Sequence, residues 1–470
     1  MKLNSLPFSS VIVLNYNGEK VIENTVESLL ALNYPKDKFE IIIVDNNSQD
    51  QSREILRGLS KRYPQIKTVF LEKNFGFGQG NNAGFKVAKG EYVALLNNDC
   101  VVDTNWLRKL VETANQNKKI FAVSSKVLLY PKYINLSFRL PKQLILEHVF
   151  LSKSGLNRLS KSGKIFLNCL RKNDLYTLEL LYDPVSDSNL EIEFSFNKAG
   201  KYNNGMGLIF SALNKEDYQL KASNISKEGL VQKVMLDVKS KYFKKHSYNK
   251  IQNAGIVMFQ DGYGRDIGAL VKNNTQYYES DTGQFNKVKE VYAACGAAVL
   301  YRRKILDKIG FFDNSFFMYY EDVDLSERAR IKGYKIYYAP QAVVRHMHAF
   351  SSQEWSLFFI HHTEKGRLLH VFFNFPLRIF IREYLYFILI IIQHLTFLIS
   401  RLGRFRSVMS GNREGKKLEN VGKALQYIKI LFFFSVRLPA LLLKKLKYGL
   451  PGEQIERNYQ EIVGGRWYFK

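Results

Sequence analysis

The first 130 residues alternate between short apolar runs and segments of helical length, and this alternation limits the folds open to the chain. The runs at 9–15 (SSVIVLN), 39–45 (FEIIIVD) and 91–97 (EYVALLN) are mostly apolar, as expected of strands buried on both faces. Between the first two, segment 21–32 (VIENTVESLLAL) places apolar residues at helical spacing. We predict an α/β domain with a Rossmann-like, doubly wound, mostly parallel sheet and a functional site at the carboxyl ends of its strands.

The alternation stops over residues 131–250, where the sequence changes character. Segment 190–197 (LEIEFSFN) alternates apolar and polar residues, and further short runs of this kind are separated by turn-like sequences. We therefore predict an inserted β-rich, sandwich-like module at 131–250 that divides the α/β domain into residues 1–130 and 251–354. Its predicted role is to hold a glycan or another subunit, and the alternative is a spacer.

Residues 355–470 combine aromatic, apolar and basic residues, with 19 Lys and Arg against 7 Glu and no Asp. Segment 384–400 (YLYFILIIIQHLTFLIS) is shorter than the ~20 residues that span a bilayer, and Gln393 and His394 interrupt it. Segment 424–450 has cationic residues throughout. We predict basic amphipathic helices lying in a membrane interface, with a spanning helix at 384–400 as the alternative.

The net charge of +26 also points to an anionic partner, such as a phosphate-bearing substrate, an anionic membrane surface or nucleic acid. No zinc-finger spacing or RNA-binding aromatic signature accompanies this charge, so we expect no nucleic-acid partner. Cys100, Cys169 and Cys295 lie far apart without a CxxC pair, which favours reduced thiols. The N-terminal region lacks a signal-peptide pattern, and we expect the first domain to stay in the cytoplasm.

Acidic residues follow three of the predicted strands. Asp45 follows IIIV, Asp99 follows VALLNN, and Glu321 and Asp322 follow FFMYY. Strand ends of a doubly wound sheet gather along one edge, so these acids can share a cleft. Taken singly, each can be an Asx turn or a helix cap. Together, in a basic chain, they predict a site that holds a cation or moves a proton.

Seven motifs now give a specific resemblance. In chain order they are NYNGE, IIIVDNNSQD, NFGFGQGNNAG, LLNND, GAAVLYRR, GFFDNSFFMYYEDVDLSERARIKGY and VVRH. They resemble the family 2 glycosyltransferases with the GT-A nucleotide-sugar fold, especially the rhamnosyltransferase-like branch. The resemblance covers about half of the chain and leaves out the insert and the C-terminal region.

The resemblance implies a divalent cation, Mg²⁺ or Mn²⁺, at LLNND. Asn97 and Asp99 match the family's DXD position, and His346 of VVRH matches a residue that ligates the metal or contacts the diphosphate. One carboxylate, diphosphate oxygens and water can satisfy such a hard cation. Since one of the two acids is replaced by Asn97, metal independence stays open, as does a purely structural role for His346.

The resemblance also assigns the general base. Asp322, the second member of the ED pair, would withdraw the proton of the acceptor hydroxyl, which implies single displacement and inversion. Glu321 and Asp324 are expected to orient the loop, cap the next helix or pair with Arg328. A capping role for Asp322 is the alternative.

Donor-binding residues are expected at the first strand ends and in the Gly/Asn-rich loop, after which a helix is predicted from Asn81. They are Asn15, Asp45, Asn46, Asn74, Gly76, Gly80, Asn81, Asn97, Asn98 and Asp99. Arg302 and Arg303 are candidates for the diphosphate or an anionic acceptor, with solvated surface as the alternative for at least one.

The implied function is an inverting transferase that moves a sugar, plausibly rhamnose, from a dTDP- or UDP-sugar to a polyprenyl-linked or cell-surface glycan. It would act peripherally at the cytoplasmic face of the membrane, and a homo-oligomeric state stays open. The alternative is a non-catalytic carbohydrate-binding or scaffolding protein with a degenerate site. Retention of Asp99, Asp322 and His346 argues against that alternative.

Overall fold

The computed structural model describes residues 6–130, 132–139, 144–152, 168–172, 175–182, 189–198, 209–210, 218–223, 231–239, 246–272, 275–347, 356–402 and 412–462. The chain folds into two compact units. The first consists of Met1–Leu128, Ile251–Tyr278 and Gly283–Lys470, and the second of Leu129–Lys250 and Glu279–Thr282.

A mixed sheet forms the centre of the first unit. Its main strands are β1 (Ser9–Asn15), β2 (Phe39–Asp45), β3 (Ile66–Phe70), β4 (Tyr92–Asn97), β5 (Cys100–Val102) and β6 (Ile120–Leu129). Strands β1 to β4 are parallel to one another, in the spatial order β3-β2-β1-β4. The runs predicted to be buried strands are indeed buried, and all seven residues of β2 are inaccessible or nearly so. The predicted α/β domain with a parallel arrangement of β1 to β4 is confirmed.

Helices pack on both faces of this sheet. They are α1 (Ile22–Leu30), α2 (Ser52–Arg62), α3 (Gly76–Val87) and α4 (Trp106–Ala114), with a 3-10 turn at Lys36–Lys38. The apolar faces of α1 and α4 bury Ile22, Val26, Leu107 and Leu110 in one core. Helix α3 covers the opposite face, where Gly84 lies against Ile12.

The second half of the first unit completes the sheet with opposite strand directions. The strands that join it are β15 (Ile251–Asn253), β20 (Lys289–Glu290), β21 (Ala298–Arg302) and β22 (Lys335–His346). Two separate hairpins are formed by β16 (Ile256–Met258) with β17 (Gly264–Asp266) and by β18 (Ala269–Lys272) with β19 (Thr275–Tyr278). Strand β21 lies antiparallel between β4 and β6. The sheet is therefore parallel in one half only. The motif VVRH forms the end of the long strand β22.

The second unit contains strands only among its described elements. They are β7 (Lys132–Arg139), β8 (Leu144–Ser152), β9 (Asn168–Lys172), β10 (Leu175–Tyr182), β11 (Asn189–Lys198), β12 (Ile209–Phe210), β13 (Tyr218–Ser223) and β14 (Val231–Lys239). They form two four-stranded antiparallel sheets, in the orders β12-β7-β10-β9 and β13-β14-β11-β8.

Helices dominate the C-terminal part of the first unit. They are α5 (Arg303–Ile309), α6 (Glu321–Ile331), α7 (Leu357–Asn374), α8 (Leu377–Leu402), α9 (Asn412–Tyr448) and α10 (Gly452–Gln460). One core joins α6 and α7 to α8, α9 and α10 through buried residues such as Val323, Phe372, Phe387 and Phe434.

One described helical stretch, Val421–Tyr448 of α9, is long and apolar enough to cross a membrane. The sequence instead suggests 384–400, in α8, as the alternative spanning segment. Length and composition alone qualify the stretch in α9, and only 17% of its most apolar window is buried.

Candidate active site

A continuous row of polar side chains joins the carboxyl ends of β4, β1 and β2. The Asn98 amide donates to Asn15 Oδ1 at 2.9 Å, and the Asn15 amide is 3.3 Å from Asp45 Oδ1. Asp45 is fully buried; its Oδ2 accepts from the backbone of Ser48 at 3.1 Å and lies 3.4 Å from Arg53. The parallel register explains the row, since Asn15 lies beside Asp45 and Leu14 beside Asn97.

The next residue, Asn46, ties this edge to the Gly/Asn-rich loop. Its side-chain amide donates to Asn74 Oδ1 at 2.9 Å, and its side-chain oxygen Oδ1 accepts from the backbone N–H of Phe75 at 2.9 Å. Asn74 Oδ1 also accepts from the backbone of Gly76. Gly76 has φ +78°, and a Cβ there would lie 2.1 Å from the carbonyl oxygen of Phe317. Only glycine fits this crossing of two backbones.

A buried carboxylate and an imidazole face each other beyond the end of β4. Asp99 Oδ1 lies 3.0 Å from His346 Nε2 and has no hydrogen-bond donor in the described structure, although both side chains are largely buried. His346 Nδ1 lies 2.7 Å from Gln252 Oε1. An amide oxygen accepts only, so Nδ1 carries a proton, and Nε2 is the nitrogen that faces Asp99. The Asn97 amide, 3.5 Å from Nε2, is placed to donate to the same nitrogen.

This arrangement fits a divalent cation. A cation held by the Asp99 carboxylate and a neutral His346 imidazole would satisfy both side chains, whereas an imidazolium Nε2–H would donate directly to Asp99 Oδ1 at 3.0 Å. Ligand atoms of Asp99, Cys100 and His346 all lie within 4.8 Å of one another. Burial raises the pKa of the Cys100 thiol well above its usual value, so a thiolate is disfavoured. The carboxylate oxygen of Asp99 and the imidazole nitrogen of His346 can together hold a divalent cation, and this pair of ligands does not fix which one.

The segment FFMYY, predicted to be a strand, is a turn, and Asp322 is the second residue of α6 that follows it. Its Oδ2 accepts from the backbone N–H of Gly296 at 2.7 Å, and its Oδ1 accepts from that of Val323 at 2.8 Å. The residue after Gly296 is Ala297, whose carbonyl accepts from the Asn97 backbone at 2.9 Å. Two adjacent residues thus connect Asp322 to the end of β4. Asp322 is therefore linked to the carboxyl end of β4, two residues before Asp99.

Burial controls the charge of the ED pair. It raises the pKa of Asp322 above its usual value, against the lowering effect of the Gly296 and Val323 amides. Burial and the neighbouring Asp322 charge raise the pKa of Glu321 well above its usual value. Glu321 is 4% exposed, and its Oε2 has no hydrogen-bond partner in the described structure. Asp322 is the more accessible of the two, and two backbone amides stabilise its carboxylate.

The backbone before the ED pair is strained. Tyr319 and Tyr320 have φ of 68° and 71°, in the left-handed region that bulky residues avoid. Helix α7 packs against this turn through Gly366, where a Cβ would lie 2.8 Å from the Tyr319 carbonyl oxygen and 3.0 Å from Tyr320 Cβ. Close helix packing therefore holds the turn that aims Asp322.

Asp324, in contrast, has a structural role. It forms a buried ion pair with Arg328 at 2.9 Å, the pairing expected from the sequence, and accepts from Asn374 of α7 at 2.8 Å. Arg328 also donates to the carbonyls of Ile309 and Phe311 at 2.7 Å. These contacts fix α6 to the rest of the domain.

Gly80 and Asn81, which are predicted as donor contacts, make packing and helix contacts in the structure. Both lie inside α3, which begins at Gly76 rather than at Asn81. A Cβ on Gly80 would lie 2.5 Å from Leu14 Cδ1, so this glycine lets the helix approach the sheet. Asn81 is 1% exposed and donates to the Phe77 carbonyl of its own helix.

The candidate roles of Arg302 and Arg303 are wrong. Strand β21 is antiparallel to β4, so Arg302 lies beside Tyr92 at the amino end of β4, opposite the candidate site. Arg302 donates to the Ile120 carbonyl at 3.0 Å, and Arg303 donates to that of Ala88 at 2.6 Å. Both arginines tie loops together at that far edge.

Several site residues lie outside the predicted set. Gln252 fixes the tautomer of His346, Gly296 holds Asp322, and Gly366 supports the turn at Tyr319 and Tyr320. Of these, only Gly296 belongs to a motif that the sequence singles out, GAAV. Gln252 and Gly366 act through contacts between distant segments and leave no local pattern.

Comparisons with known proteins agree with this site. The profile described as "Glycosyl transferase family 2" matches residues 10–145, and that described as "Glycosyltransferase like family 2" matches residues 227–365. The chain is 34% identical over 110 residues to glycosyltransferase AglE of Haloferax volcanii, a match that covers 23% of this chain and 36% of AglE.

A second relative is the poly-beta-1,6-N-acetyl-D-glucosamine synthase of Staphylococcus epidermidis, 33% identical over 139 residues, or 30% of this chain and 32% of the synthase. The chain thus spans about a third of the length of these two relatives. Among solved structures, GalNAc-T7 crystallised with UDP, GalNAc and Mn²⁺ gives a TM-score of 0.44 at 14% identity, covering 78% of this chain and 48% of that chain.

Proposed function

The chain carries a family 2 glycosyltransferase domain, and we propose that it transfers a sugar from a nucleotide-diphosphate donor to an acceptor hydroxyl with inversion. The observation that carries the proposal is the meeting of Asp322 with the ends of β1, β2 and β4 at one edge of the sheet. The polar row there offers amide and carboxylate groups to a nucleotide, and Asp322 offers a base.

Each part of the edge has a separate task in this proposal. Asn15, Asp45 and Asn46 bind the base and ribose of the donor, and the Asn74–Gly76 loop closes over it. Asp322 accepts the proton of the acceptor hydroxyl as that oxygen attacks the anomeric carbon. The nucleotide diphosphate leaves on the opposite side of the carbon, so one displacement inverts its configuration.

A divalent cation belongs to this proposal because Asp99 and His346 fit it. When bound, it would neutralise charge that develops on the leaving diphosphate. Gln252 keeps a proton on Nδ1, which leaves Nε2 to face the cation. The hydrogen bond between Gln252 and His346 forms within the protein and does not depend on the cation.

We further propose rhamnose from a dTDP- or UDP-sugar as the transferred group, on the strength of the motif resemblance. The acceptor proposed is a polyprenyl-linked or other cell-surface glycan at the cytoplasmic face of the membrane, since α8 and α9 expose apolar and cationic residues. The strand module at 129–250 is a candidate for binding the growing glycan.

A donor screen tests the proposal. Purified protein is incubated with a panel of dTDP-, UDP- and GDP-sugars, with and without Mg²⁺ or Mn²⁺, and released nucleotide diphosphate is measured. We expect release with one donor class, loss of release in D322N, and product of inverted anomeric configuration by NMR. A matched control is D307N, which changes an exposed carboxylate of α5. Absence of release from every donor, also with a polyprenyl-linked acceptor, would favour a binding protein and refute the transferase.

A further inference from the structure

Helices α8 and α9 each expose a row of large apolar side chains. On α8 the row is Leu377, Ile381, Leu385, Leu389 and Ile392, each between 48% and 59% exposed. On α9 it is Leu425, Ile428, Phe432, Val436, Leu443 and Leu446, each between 40% and 76% exposed. The spacing of three, four or seven residues places each row on one side of its helix. We call these two rows the apolar face.

Over residues 421–448, the opposite side of α9 is packed against the rest of the first unit. Ala424, Ile430, Phe434 and Leu441 are buried there, each at most 4% exposed. Near one end Gly422 lies against Leu357, and near the other Lys444 binds Asp313 at 2.8 Å. A helix fixed at both ends to a folded body cannot cross a bilayer without leaving that body.

The charge of the same segment complements an anionic surface. Residues 421–448 contain six cations and no Asp or Glu. Lys429, Arg437 and Lys447 are exposed. Cations beside an exposed apolar row are the composition of a helix that lies in the headgroup region of anionic lipid.

The apolar face continues toward the candidate active site. Leu357 and Phe358, at the start of α7, are 39% and 44% exposed. The Phe358 ring lies 6.4 Å from that of Phe317, and the carbonyl of Phe317 accepts from the Phe77 backbone at 2.7 Å. Phe317 therefore borders the donor loop, and a lipid-anchored acceptor could approach the site along this edge.

We propose that the apolar face docks flat on the surface of an anionic bilayer, as a monotopic membrane site, with α9 in the membrane plane. This deepens the proposed function, on which its account of a lipid-anchored acceptor rests. The face takes acidic phospholipid, and the bilayer covers the apolar side chains that the fold leaves exposed.

Vesicle flotation tests the proposal with the full chain. We expect binding to vesicles of phosphatidylglycerol and phosphatidylcholine, weaker binding to phosphatidylcholine alone, and weakening by salt. L389E and F432E should each lower the vesicle partition coefficient about tenfold or more, because each removes one buried apolar side chain from the lipid contact. V288E is the control, since Val288 is 43% exposed in the same unit but away from both helices.

Depth measurements separate flat docking from spanning. Tryptophan is introduced in L425W, V436W and L446W, and quenching by brominated lipids is measured after subtraction of the wild-type signal. Flat docking gives one shallow depth for all three positions. A much deeper position 436 than 425 and 446 would mean a spanning helix and overturn the proposal.

Two other results would also overturn it. One is vesicle binding unchanged in L389E and F432E, and the other is a lipid-free dimer that both substitutions dissociate, which would make the face a protein interface. Donor hydrolysis is recorded in parallel. Hydrolysis without vesicle binding refutes the docking alone, whereas vesicle binding without hydrolysis refutes the transferase alone.

Discussion

Substitution of Gln252 by leucine tests how the imidazole of His346 is held. Gln252 Oε1 accepts from Nδ1 at 2.7 Å and is 4% exposed, so leucine fills nearly the same volume but removes the acceptor. The Nδ1–H is then left buried without its partner, and the ring can take the other tautomer, whose Nε2–H cannot bind a metal. Loss of such an outer partner lowers metal affinity about 10–100-fold, or roughly 1.4–2.7 kcal/mol.

The assay is direct Mn²⁺ binding by electron paramagnetic resonance, with turnover measured separately. Q252L should weaken Mn²⁺ binding by that factor, and Q252E, which keeps an acceptor, should restore it. Q116L, at a solvent-exposed glutamine after α4, is the matched control. Unchanged Mn²⁺ affinity in a folded Q252L protein would show that the Gln252 contact does not position His346. Equal losses in Q252L and Q252E would point to packing instead.

Three further predictions concern α6 and its supports. D322N should lower kcat by about 10²–10⁴-fold while nucleotide affinity is kept. Since burial raises the pKa of Asp322, the activity of the wild type should fall with acidification at a higher pH than for an ordinary aspartate, and a pH–rate profile checks this. G366A places a Cβ 2.8 Å from the Tyr319 carbonyl oxygen, so kcat should fall with little change in donor affinity. G58A, at a position with no atom near the added Cβ, should leave kcat unchanged. Equal kcat values for the two variants would contradict the packing argument. Burial raises the pKa of Glu327 from 4.5 to about 8, so the protonated side chain contributes stability that is complete below about pH 4.5 and lost as the pH rises through 8. E327Q should flatten this decline in the free energy of unfolding, measured by urea denaturation at several pH values. An unchanged dependence on pH would refute the assignment.

The parallel half of the site was predictable because local patterns determine it. Apolar runs identify buried strands, parallel strands share an edge, and residues that end them must meet there. Asn15, Asp45 and Asn98 follow from this logic, and their hydrogen bonds confirm that they are neighbours.

The antiparallel half was not predictable in the same way. The run AVLYRR is compatible with either strand direction, and an antiparallel β21 carries Arg302 and Arg303 to the edge opposite the one that a parallel strand would reach. The contact between Gln252 and His346 joins residues 94 positions apart, with no motif at Gln252. Helix α3 begins before its apparent apolar start, which turns Gly80 toward the sheet.

The C-terminal helices belong to the architecture of the candidate site as well as to the proposed membrane contact. Helix α7 holds the Tyr319–Tyr320 turn through Gly366 and binds Asp324 through Asn374. Helix α10 reaches the same α6 through Asn458, which donates to Glu327.

Removal of residues 355–470 would therefore remove the helices that hold α6 and Asp322 in place, together with any lipid-binding surface. Loss of activity in such a truncation would say nothing about membrane binding. Point substitutions on the apolar face avoid this, because those side chains are exposed and lie away from α6. If lipid vesicles raise kcat of the wild type but not of F432E, the lipid acts through the face; equal stimulation of both would place its effect elsewhere.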